Sequence, residues 1–166
     1  MKNAINTRID ALYDVATDKN SVARDHFEEW TLVYDQVRQL QRPIVSRRIR
    51  KLLFAGYLLY DRECEYSMAV KILEIYFKEG VPDDDHIDIE DVIQLLIYSY
   101  GYAKDWDRSS RFFELLIARV SGQGALHSRI CEILRDLTVN ASDDETPIGL
   151  LSGITEFLDS TCVHKQ

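Results

Sequence analysis

Apolar residues recur every three or four positions along most of the chain, and no stretch alternates with period two long enough to predict a strand. The first stripe is Ile5, Ile9, Leu12 and Ala16, ended by the polar run 17–20. Ser21 is the expected N-cap of a second helix striped by Phe27, Trp30, Val33, Tyr34, Val37 and Leu40, with Pro43 closing it. Ser46 is placed to cap a third helix with Ile49, Leu52, Leu53, Gly56, Tyr57 and Tyr60 on one face, and 61–65 reads as a charged corner. A fourth helix carries Ala69, Ile72, Leu73, Tyr76 and Phe77 and stops at Gly80, the residue type that most readily takes the left-handed C′ conformation.

The polar connector 81–88 leads to the cleanest stripe in the chain: Ile89, Val92, Ile93, Leu96, Ile97 and Tyr100. Leu95, Tyr98 and Tyr102 add a second apolar face, so this fifth helix is expected to be central. A sixth helix shows Ser109, Phe112, Phe113, Leu116, Ile117 and Val120, and a seventh runs over Leu126, Ile130, Ile133, Leu134 and Leu137. After the acidic linker 140–146, Pro147 stands at the first position of an eighth helix with Leu150, Ile154, Phe157 and Leu158. The pattern therefore predicts an all-α fold of about eight helices in antiparallel hairpins, with residues 1–166 forming a single domain.

Sliding the chain by forty residues lays EYSMAVKILEI (65–75) on DWDRSSRFFEL (105–115). Lys71 meets Arg111, Glu74 meets Glu114, Tyr60 meets Tyr100, and core positions stay apolar or small. SRICEIL (128–134) echoes SRFFELL (110–116). A duplicated helical hairpin explains these matches, with repeat-like units at 52–79 and 92–120; similarity between any two amphipathic helices is the alternative.

The hairpin 52–79 has small Ala55 and Gly56 in its first helix, Ala69 at the crossing, Leu73 four residues on, and Pro82 after its end. In this it resembles a tetratricopeptide repeat, whose pattern is W-x₂-L-G-x₂-Y…A-x₃-F…P. The resemblance covers about residues 52–120. It departs from the pattern in lacking the leading tryptophan, in a longer period, and in placing Leu95, Leu96 and Ser109 where the second copy should carry small residues. The resemblance implies a right-handed stack of hairpins whose first helices line a concave groove. On that arrangement Arg47, Arg50, Phe54, Gln94 and Tyr98 would face a bound protein segment, and arginine with aromatic residues is the composition of a binding hot spot.

Composition agrees with a helical globular chain: 46% apolar and 29% charged residues argue against disorder, and seven Gly with three Pro are too few for a loop-rich sandwich. The opening MKNAINTRIDALYD has no apolar core and no run is long enough to span a bilayer, so neither a secretory signal nor a membrane anchor is expected. Cys64, Cys131 and Cys162 form no paired spacing, which fits free thiols and a cytoplasmic address.

Net charge is −8, but it is unevenly spread. No acid lies between Asp35 and Asp61, an interval holding Arg38, Arg42, Arg47, Arg48, Arg50 and Lys51, whereas 61–91 holds eleven acids. The basic stretch 38–51 reads either as a clamp for an acidic peptide or phosphates, or as a surface compensated by an acidic neighbour within the chain or across a homodimer. Binding to nucleic acid ranks low, because a single short patch on an acidic chain neutralises few phosphates.

Motifs of catalysis are missing. There is no GxSxG elbow, no HExxH, no phosphate-binding glycine loop, and His26, His86, His127 and His164 have no ligand spacing. The acidic loop 83–91 departs from a calcium loop, with Asp88 where glycine is needed and Gln94 where a bidentate glutamate is needed. No catalytic residue, metal or cofactor is therefore expected. The sequence points to a non-enzymatic protein-binding module, a chaperone or adaptor holding a helical or extended segment. An immunity or antitoxin role through the acidic face 61–91 and a nucleic-acid role through 38–51 stand as alternatives.

Overall fold

The computed structural model describes residues 2–40, 46–79, 89–119, 128, 129, 132 and 133. Among these the fold is all-helical, without a strand. The helices are α1 (Lys2–Thr17), a 3₁₀ turn (Ala23–His26), α2 (Phe27–Arg38), α3 (Ser46–Arg62), α4 (Tyr66–Lys78), α5 (Ile89–Tyr102) and α6 (Trp106–Arg119). Of the predicted seventh helix only 128, 129, 132 and 133 are described, all helical; the eighth, together with Pro43, Gly80 and linker 140–146, lies outside the described residues. The chain divides into two compact units, Met1–Asp88 and Ile89–Gln166.

In the first unit α3 is the element on which the others pack: α1, α2, the 3₁₀ turn and α4 all contact it. The stripe Ile5, Ile9, Leu12 and Ala16 of α1 is fully buried, as its spacing requires. On α3, Leu52, Leu53, Ala55, Gly56, Tyr57, Leu59 and Tyr60 are buried over most of its circumference, which an amphipathic surface helix would not show.

Trp30 locks α2 across α3. Its indole Nε1 donates to the Leu52 carbonyl at 2.8 Å, a buried bond, and its ring lies directly over Gly56. A Cβ at position 56 would sit 2.3 Å from the indole Cε2. The glycine is thus the notch that lets an aromatic ring touch helical backbone, and the ring spans from there to Tyr34, stacked at 5.1 Å, and to Tyr60, edge-on at 6.0 Å. Phe27 stacks on Tyr60 at 4.1 Å. Four aromatic rings therefore bind the first turns of α2 to the middle and end of α3.

Ser21 does not cap the second helix. Val22 precedes the 3₁₀ turn and His26 precedes α2, neither with a side-chain cap. The Ser21 hydroxyl instead donates to the Val15 and Asp18 carbonyls at the end of α1, and accepts from Arg62 at 2.8 Å. Arg62 also donates to the Ala16 carbonyl, so the last turn of α3 closes the open end of α1. The serine hydroxyl is thus engaged at the end of the preceding helix and by Arg62, not at the start of the next one.

The α3–α4 and α5–α6 hairpins turn through the same hydrogen bonds at a forty-residue offset. Glu65 N–H reaches the Tyr60 carbonyl and Asp105 N–H the Tyr100 carbonyl, both at 2.9 Å; Cys64 N–H reaches Asp61 and Lys104 N–H reaches Gly101, both at 3.0 Å. This is the paired closure of a Schellman motif. Its left-handed residue is Cys64 (φ 58) in one turn and Lys104 (φ 62) in the other, where glycine is the usual occupant. Beyond the turn, buried Ala69 and buried Ser109 occupy matching positions, and the Ser109 hydroxyl satisfies itself on the Ile97 carbonyl at 2.8 Å. Asp105 caps α6, accepting the Arg108 N–H at 3.2 Å.

Two substitutions test these points. Gly56→Ala drives a methyl into a rigid indole and should lower unfolding free energy by about 3 kcal/mol, read as a reduced urea midpoint; an unchanged midpoint would show that the indole is not seated on the helix. Cys64→Gly or Lys104→Gly removes the left-handed penalty and should raise stability by roughly 1 kcal/mol; a loss at both sites would contradict the turn geometry.

Candidate functional site

Viewed down its axis, α3 meets α1, α2 and α4 on three sides. Arg48, Lys51 and Arg62 reach α1 or its end, Gly56 and Tyr60 meet α2 and its preceding turn, and Phe54 touches Tyr76 of α4 with ring centroids 5.6 Å apart. The fourth side is formed by Arg47, Lys51, Phe54, Leu58 and Asp61, which recur at helical spacing. Arg47 is exposed and the other four are half-buried. Among the described residues of this unit no further helix packs there. The result is a lengthwise face floored by α3, with Tyr13 and Asp10 of α1 beside Lys51 and Tyr76 of α4 beside Phe54.

Its charges are polarised along the helix. At the N-terminal end Arg47 is exposed, while Lys51 lies 2.7 Å and Arg48 2.5 Å from Asp10 Oδ1. The hydrogen bond from Lys51, its charge and that of Arg48 hold the Asp10 carboxyl below its ordinary pKa. Arg48 and Lys51 of the basic stretch are thus compensated within the chain by Asp10 of α1, and not by the acid-rich segment 61–91 that follows α3. A second clasp joins α1 to α2, where Arg8 donates to Glu29 at 2.7 Å and to Gln36 at 2.6 Å and draws the Glu29 carboxyl down in pKa.

At the C-terminal end Asp61 is half-buried and its carboxylate meets no cation or donor among the described residues, so burial pushes its pKa up. The acids that follow it are engaged: Arg24 lies 3.7 Å from Glu63 and 3.6 Å from Glu65.

The five residues singled out from sequence fall into two places. Arg47 and Phe54 lie on this fourth side, and Arg50 on α3 is buried at 8% exposure. Gln94, also 8% exposed, and half-buried Tyr98 belong to a polar chain in the second unit. Gln94 Nε2 donates to the Tyr98 hydroxyl at 2.9 Å, while Arg129 donates to Gln94 Oε1 and to Asp91 Oδ1, each at 2.8 Å. Leu58 and Asp61 were not singled out: Leu58 adjoins a core run, and Asp61 is one of eleven acids in its segment. The signal that finds them is their spacing from Arg47 and Phe54.

Among the described residues no group of three or more His, Cys, Asp or Glu side chains could hold a metal ion. The acidic loop 83–88, with His86, lies outside them, as do Cys131 and Cys162; Cys64 is exposed. No described helix is long and apolar enough to cross a membrane. Comparison with protein-family models, with curated proteins and with solved structures finds no match to this chain.

The two carboxylates have opposite linkage to pH. Asp10, with its pKa lowered by folding, adds stability above its unfolded pKa that is lost as pH falls through the folded value; Asp61, with its pKa raised, costs stability at neutral pH, and that cost is relieved as pH falls through its folded value. Asp10→Asn should therefore lower the melting temperature at pH 7 and Asp61→Asn should raise it, both differences shrinking towards acid pH. Thermal melts across pH check this, and a neutral-pH loss for Asp61→Asn would show that the carboxylate has a cationic partner.

Proposed function

We infer that the chain is a non-enzymatic protein-binding module, an adaptor or chaperone, which takes a helical segment of a partner along the fourth side of α3. The observation that carries this reading is the unclosed side itself. Phe54 and Leu58 form a half-buried apolar centre between exposed Arg47 and the uncompensated Asp61. A buried anchor flanked by charges is how interfaces concentrate affinity and set register. Along fourteen residues of helix the two charges stand roughly 21 Å apart, so the matching segment is about four turns long, with an acid at the Arg47 end and a base at the Asp61 end.

The tetratricopeptide-like arrangement belongs to this proposal as its finer form. In support stand the equal turns at Cys64 and Lys104 and the small residues at the two crossings. Protein ranks above nucleic acid as the partner because Arg48 and Lys51 are committed to Asp10 and Arg50 is buried, leaving Arg47 of α3 fully presented. An immunity-type role through 61–91 gains less support, since Glu63 and Glu65 already pair with Arg24 and Asp91 with Arg129.

The test is quantitative co-purification from the native cell, with mass-spectrometric identification, using wild type, Leu58→Glu and Asp61→Lys. A specific partner should bind wild type and lose at least about tenfold in affinity to each variant, while circular dichroism shows the same helix content. Retention of that partner by both folded variants would remove α3 as the site.

A further inference from the structure

We draw no further inference here: the strongest candidate, the half-buried stripe of Asp91, Leu95, Tyr98 and Tyr102 along α5, already seats Arg129 of this chain on Asp91, and nothing in the structure shows what partner would cover the rest of it.

Discussion

The contact between the Trp30 indole and the backbone of α3 at Gly56 is the constraint from which the first unit follows. A ring that close to a helix axis requires the missing side chain at 56, and its N–H uses the second lone pair of a carbonyl already engaged in the helix. Once α2 is fixed there, Phe27 and Tyr60 stack, the 3₁₀ turn is drawn against α3, and α1 must enter on the side where Arg48, Lys51 and Arg62 wait for Asp10 and the Ala16 carbonyl. With α4 opposite, three sides of α3 are spent, and the fourth remains as a face with an apolar centre and a charge at each end.

The electrostatics follow this geometry more than the overall charge of −8. Arg48 and Lys51 of α3 are matched by one carboxylate of α1, and Glu63 and Glu65 after α3 are matched by Arg24. These are solvent-accessible pairs worth little individually, and they orient helices more than they hold them. Against that background Asp61 stands out as a carboxylate that burial penalises and no cation among the described residues relieves.

Much of the fold was legible in the chain because helical burial leaves a periodic trace: the α1 stripe, the α2 stripe around Trp30 and Val33, and the strong α5 stripe all point inward. The turn at 61–65 was visible as a charged corner, but its stop signal was not, since Cys64 and Lys104 take the left-handed conformation that composition assigns to glycine. Ser21 misled for a different reason: its hydroxyl closes the end of the helix behind it and accepts from Arg62, whereas the capping rule looks to the helix ahead. Gly56 was noticed as small, yet what fills its notch comes from a helix a whole connection away. Of the site, Arg47 and Phe54 were within reach of spacing arguments, whereas the exhaustion of Arg48 and Lys51 by Asp10 depends on a pairing across about forty residues that no periodicity records.

If the Trp30 contact makes α3 the rigid axis of its unit, amide hydrogen exchange resolves it directly. The amides of α3 between Leu52 and Tyr60 should exchange most slowly in residues 2–79, through global unfolding alone, with α1 opening earlier. Exchange of that segment as fast as α1 would show that α3 is not the element on which the others depend.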